Sequence, residues 1–169
     1  RMNVKDMVEN IAHKPFDDTA YTSFKQRVNE AKTIVYLSDN TGEIFFDRLL
    51  LEQLHNENKK ITYVVKQYPI INDATKDDAL YAGIDAYADI VAGDKDATYS
   101  APGLVLSNMS SELKELIKNT DLVISKGQGN YESLSEIDRE IFFLLMVKCP
   151  LVASNIGIDV GTMVLKAKT

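Results

Sequence analysis

The pattern of apolar positions changes character once along the chain. Up to residue 32 the apolar side chains recur at three- and four-residue spacing. Val4, Met7, Val8 and Ile11 share one helical face, and Pro15 breaks that run. Asp17, Asp18 and Thr19 can then start a second helix, which carries Tyr21, Phe24, Val28 and Ala31. From Thr33 onward, short and continuous apolar runs alternate with amphipathic stretches. Residues 33–37 (TIVYL), 61–65 (ITYVV), 88–92 (ADIVA), 122–125 (LVIS) and 141–147 (IFFLLMV) read as five strands. Residues 151–153 read as a sixth, and 163–165 as a last edge piece. Helices fall between them: 43–55, with Phe46, Leu49, Leu50 and Leu54 on one side; 75–81, opened by a Thr75/Asp78 capping box; and 112–118. Residues 93–100 and the KGQGNYESL segment at 126–134 read as loops.

Strands that are apolar throughout, rather than alternating, belong to a sheet covered on both faces. The expectation is therefore an α/β fold: a three-layer α/β/α sandwich with a mainly parallel, Rossmann-like sheet, preceded by a short helical segment. The division is 1–32 for the helical segment and 33–169 for the α/β domain. Right-handed crossovers put the strand C-terminal ends on one edge, which is where open sheets of this kind bind ligands.

Composition narrows the picture by exclusion. The chain has 169 residues and a formal net charge of −6, and its 19 basic residues form no run, which leaves no electrostatic route to nucleic acid or to an anionic membrane. The longest apolar run, IFFLLMV, is too short to span a bilayer. A single cysteine, Cys149, permits no internal disulfide and fits a reducing, cytoplasmic setting. Oligomeric state is not readable from these features.

Three loops follow strands at the ligand-binding edge. The first holds Asp39, Asn40, Thr41, Gly42 and Glu43. Asn40 suits a helix N-cap and Glu43 its capping-box partner, but capping leaves Asp39 without a task. The second holds Asn72 and Asp73 just before Thr75, which can cap its own helix, so Asp73 is again a surplus carboxylate. Two carboxylates brought that close repel unless a cation lies between them. Asp39, Asn40 and Asp73 offer only oxygen, a set that suits Mg²⁺ or Mn²⁺, with Co²⁺ or Ni²⁺ as further candidates. Neither His13 nor His55 falls at this edge, which argues against a zinc site of the His/Cys type. The third loop, from Lys126 through Gly127 and Gly129 to Asn130, supplies a cation and backbone freedom suited to an anion. A carboxylate-bound metal, a lysine and backbone donors together are equipment for a phosphate ester.

The DNTGEIFFD, PIINDAT and KGQGNYESL blocks, in that order, resemble the damage-control phosphatase family, a group that includes a protein named as an acidic-residue methyltransferase. The VKCPLVASNIGIDVGTMVL stretch is similar to the family's closing segment. The resemblance implies a metal-dependent phosphatase acting on small phosphorylated metabolites, with Asp39, Asn40 and Asp73 as metal ligands. It implies that Glu43 stands on the substrate side and that Lys126 faces the phosphate. Thr41, Gly42, Gly127, Gly129 and Asn130 complete the expected phosphate-binding set, and Asp47, one turn beyond Glu43, is either a supporting group or a solvated helix carboxylate. The resemblance also implies a longer helical region before the first strand, of which residues 1–32 would be a remnant. Two alternatives stay open: Asp39 as a nucleophile forming an aspartyl-phosphate, and a metal- or nucleotide-binding module without turnover.

Overall fold

The computed structural model describes residues 18–97 and 101–168. The expected helix through Val4 and Ile11 lies outside the described residues. The chain runs α1 (Asp18–Glu30), β1 (Thr33–Leu37), α2 (Ile44–Asn56), β2 (Lys60–Val65), α3 (Lys76–Tyr81), β3 (Asp89–Ala92), α4 (Ser111–Asn119), β4 (Leu122–Lys126), α5 (Gln128–Leu134), β5 (Ile141–Met146), α6 (Pro150–Ile156) and β6 (Met163–Lys168). The strands form one sheet in the order β3-β2-β1-β4-β5-β6. All neighbours pair in parallel except β5 and β6, which are antiparallel. This is the expected α/β architecture, with the last edge piece enlarged to a full strand.

The continuous apolar runs have the anticipated cause. Side chains along β1 alternate between two cores, one on each face of the sheet. Ile34 and Tyr36 join Leu51, Leu54, Tyr63, Ile84 and Phe142 on one face. Val35 and Leu37 join Leu113, Ile117, Val123, Tyr131 and Phe143 on the other. The α1 helix packs on the first face, where the Phe24 ring meets Phe142 edge-on at 5.3 Å.

Three local expectations fail, each for a physical reason. Residues 151–153 belong to α6, not to a strand: Pro150 stands in its first turn, where a fixed φ and a missing N–H suit a helix start. The segment after β4 is not a loop beyond Gly127, because it winds at once into α5. The α2 helix buries Ile44, Asp47, Leu51 and Leu54, while Phe46 and Leu49 of the expected apolar face are 74% and 65% exposed. The buried stripe is turned so that it carries an acid, and the partners of that acid lie in the candidate site.

Candidate functional site

The strand order reverses at β1 and β4, the central pair of the sheet, and the crevice beyond their C-terminal ends is the usual ligand position in such sheets. The loops leaving β1 and β2 are stitched together there. Ala74 N donates to Asp39 O at 2.7 Å and Thr41 N to Asn72 O at 2.8 Å, so that Asn40 and Asp73 pair as a short antiparallel bridge. This stitching, rather than helix capping, brings Asp39, Asn40 and Asp73 to one place. The loop that delivers Asp73 turns through Ile71 at φ +48°, a left-handed conformation unfavourable for a β-branched residue.

The expected cap is not the one formed. Glu43, not Asn40, occupies the N-cap position of α2, and no side chain caps the helix. Asn40 Nδ2 instead donates to Asp39 Oδ2 at 2.7 Å and to Glu43 Oε1 at 3.0 Å. Its amide nitrogen is thus spent on the two acids, which leaves the amide oxygen for a cation. At α3 the predicted capping box is present, with Thr75 and Asp78 bonded reciprocally.

Lys126, the last residue of β4, extends this network across the crevice. Its Nζ donates to Glu43 Oε2 at 2.6 Å and to Asp47 Oδ1 at 2.9 Å. Asp47 is 3% exposed and accepts two further hydrogen bonds, from Tyr36 Oη at 2.7 Å and Tyr63 Oη at 2.9 Å. Of the two sequence readings of Asp47, the solvated helix carboxylate is excluded. One connected chain therefore runs from the buried tyrosines through Asp47, Lys126, Glu43 and Asn40 to Asp39.

The electrostatics separate two kinds of acid within this network. Burial raises the Asp39 carboxyl to about 7, helped by the neighbouring charges of Glu43 and Asp73 and opposed by Lys148 and Lys126. Burial also raises Asp73, against the Gly103 N–H and Lys66, which lower it, while Asp94 adds to the rise. For Glu43 burial acts upward too, but Lys126 and Asn40 outweigh it and hold the carboxyl below its ordinary value. Burial pulls Lys126 down, and Asp47 and Glu43 more than restore it, so its ammonium is kept charged. Asp39 and Asp73 are thus the acids whose charged form the site disfavours, while Glu43 is held ionised.

The donor set fits a hard divalent ion. Among the described residues no three histidines, cysteines or carboxylates stand together as a ready metal centre. Asp39 and Asp73 are near enough for their charges to act on one another, with Asn40 bridged to Asp73 beside them. Two carboxylates and an amide are the oxygen-only donor types that Mg²⁺-type ions accept while keeping water or substrate oxygens in their shell.

Several expected phosphate donors are spent elsewhere. The Thr41 N–H is taken by Asn72 O, and the Gly127 N–H donates to Leu144 O at 2.9 Å. Gly127 has another task. Its φ is +83°, and a Cβ there would lie 2.1 Å from Asp39 Oδ2, so only glycine lets the Asp39 carboxylate rest against the β4–α5 turn. Asn130 is fully buried, and its side chain is spent within the fold: Nδ2 donates to Ser38 O and Lys126 O, and Oδ1 accepts from Leu104 N. Gly42 and Gly129 keep N–H groups that no backbone acceptor claims among the described residues.

Sequence reasoning passed over Lys148, an exposed lysine after β5 whose charge reaches Asp39. It also passed over Asp94, although an acid just beyond a strand end was the signal that picked out Asp39 and Asp73. No helix among the described residues is long and apolar enough to cross a membrane.

Comparison with known proteins agrees with this fold. The model of the damage-control phosphatase ARMT1-like domain matches residues 2–164. An uncharacterised protein of Methanocaldococcus jannaschii is 46% identical over 138 residues, covering 79% of this chain and 44% of its own length. A damage-control phosphatase of Archaeoglobus fulgidus is 41% identical over 145 residues, 83% of this chain and 49% of that protein. The crystal structure of a DUF89 family protein from Pyrococcus horikoshii superposes with a TM-score of 0.86 at 32% identity, covering 100% of this chain and 60% of that one. The chain thus spans about half the length of the curated relatives it matches. With its sheet, its strand-end motifs and these likenesses in agreement, the chain belongs to the damage-control phosphatase ARMT1-like family.

Proposed function

We propose that the chain is the metal-binding α/β part of a divalent-cation-dependent phosphatase that hydrolyses phosphate monoesters of small metabolites, sugar phosphates or damaged phosphometabolites among them. The observation that carries this reading is the Asp39–Asn40–Glu43–Lys126 chain at the strand-order reversal, with Asp73 bridged to Asn40. The name of the Archaeoglobus fulgidus relative supports the reaction class.

In this reading Asp39, Asp73 and the amide oxygen of Asn40 hold Mg²⁺ or Mn²⁺. When bound, the ion supplies charge neutralisation for the phosphoryl group and acidifies a water molecule. The remaining tasks fall to the chain itself. Glu43 and Asp47 fix the Lys126 ammonium and keep it protonated, so it meets the phosphoryl oxygens as a preorganised charge. Lys148 adds positive potential near Asp39, and the Gly42 and Gly129 N–H groups are the backbone donors left for phosphate oxygens. Glu43 has its oxygens committed to Asn40 and Lys126, which makes it an organiser of the site rather than a free base.

The test is phosphate release from phosphosugars and an aryl phosphate, with Mg²⁺, Mn²⁺, Co²⁺ and Ni²⁺ supplied in turn, by the full-length protein. Metal-dependent release that Asp73→Ala abolishes is expected. Absence of release with every metal would refute the enzymatic reading and favour a binding module.

A further inference from the structure

Asp73 reaches the site from a loop, and its carboxylate is held by a residue far along the chain: Gly103 N donates to Oδ2 at 2.9 Å. Gly103 in turn is fixed by a buried ion pair that takes no part in the proposed chemistry. Lys66 follows β2 and Asp94 lies just beyond β3. They meet at 2.8 Å with side chains only 7% and 4% exposed. Lys66 Nζ also donates to Gly103 O at 2.8 Å and Ala101 O at 3.3 Å, which accounts for all three of its protons. Asp94 spends its second oxygen on Gln67 N at 3.2 Å.

Gly103 is therefore gripped at both ends of its backbone, the N–H by Asp73 and the carbonyl by Lys66. The opposite side is closed by α5. Gly103 has φ +76°, and a Cβ on it would fall 2.5 Å from Gly129 C and 2.7 Å from Asn130 N. Leu104 N is tied to Asn130 Oδ1 at 2.8 Å. The turn cannot move toward α5, and Lys66 keeps it from moving away.

A buried ion pair is a poor device for stability alone. Taking both charges out of water offsets most of their attraction, and apolar residues of similar size often serve as well. Groups that hold a metal-ligating carboxylate from behind, by contrast, typically change metal affinity by about 10- to 100-fold when removed. We infer that Lys66 and Asp94 are positioning residues for Asp73, acting through the 101–103 peptide to hold its carboxylate in one orientation toward the cation. The cation half of this inference rests on the metal-dependent reading above; the grip on Gly103 and Asp73 does not.

The test uses the double substitution Lys66→Met with Asp94→Leu, which removes both charges at similar volume and leaves neither one buried alone. Two measurements follow. Without metal, hydrogen exchange at the Gly103 amide reports the bond to Asp73. With metal, calorimetric titration of Mn²⁺ reports the ligand set, with Asp73→Asn marking full loss. The expected result is a melting temperature close to that of the unsubstituted chain, lost protection at Gly103, and Mn²⁺ binding weakened about 10- to 100-fold. Retained protection at Gly103 overturns the inference, and so does a lowered melting temperature with unchanged Mn²⁺ affinity. If the unsubstituted chain takes up no Mn²⁺, the metal reading fails, and the Gly103 amide alone then decides for or against the Lys66–Asp94 grip.

Discussion

The two ends of the central strands treat the same side chain in opposite ways. At the N-terminal end, Asp121 leads into β4, and its Oδ2 accepts from Lys32 N, Thr33 N and Thr33 Oγ1, each at 2.9 Å. Those donors hold its carboxyl below the ordinary range. At the C-terminal end, Asp39 is raised to about 7 by burial and by neighbouring acids. Asp121 is exposed and satisfied; Asp39 and Asp73 are desolvated and crowded by like charge. The first arrangement holds the fold together. The second favours the protonated acid unless a cation stands nearby, a perturbation of the kind that clusters at functional sites.

The largest expected effect breaks the comparison at the site end. Asp39→Asn should lower metal-dependent phosphate release about 10³-fold, the scale of several kcal/mol of lost charge stabilisation, in steady-state assays. The same substitution removes the crowded charge, so its metal-free melting temperature should equal or exceed that of the unsubstituted chain. Next in size is the floor beneath the site. Asp47→Ala leaves Lys126 with one acid and two buried tyrosine hydroxyls without an acceptor, and should cost about 3 kcal/mol in denaturant unfolding.

The N-terminal end responds more weakly. Asp121→Ala should cost at most about 1 kcal/mol, because the group is exposed and screened. Its pH dependence has a definite sign. The folded-state value lies below the unfolded one, so the stabilisation is present above about pH 4 and disappears as pH falls through the folded-state value. Unfolding curves of the variant and the unsubstituted chain should therefore converge in acid. The smallest effect concerns the turn that delivers Asp73. Ile71→Gly relieves a left-handed β-branched residue and should raise stability by less than about 1 kcal/mol, since glycine also loosens the unfolded chain.

Most of the sheet was legible in the sequence because buried parallel strands announce themselves as unbroken apolar runs, as at Thr33–Leu37 and Ile141–Met146. The capping box at Thr75 and Asp78 was legible for a similar reason, since both partners are three residues apart. The sequence placed Asp39 and Asp73 at the same sheet edge, but not the stitching of their loops through Ala74 N to Asp39 O and Thr41 N to Asn72 O. What escaped depends on partners distant in sequence. The α2 helix carries two candidate apolar stripes, and the choice between them was made by Tyr36, Tyr63 and Lys126, which draw Asp47 inward and turn Phe46 and Leu49 out. Asn130 read as a phosphate contact because its motif is glycine-rich, yet its backbone partners at Ser38 and Leu104 lie 92 and 26 residues away. The Lys66–Asp94 pair spans 28 residues and has no local signature.

The proposed phosphatase chemistry requires Asp39, Asn40 and Asp73 to hold a divalent ion at the reversal of strand order. Calorimetric titration of Mn²⁺ tests that most directly, run on the unsubstituted chain and on Asp39→Asn side by side. Saturable binding of one ion per chain, lost in Asp39→Asn while the variant remains folded, is the predicted result. Equal binding by both chains would contradict it.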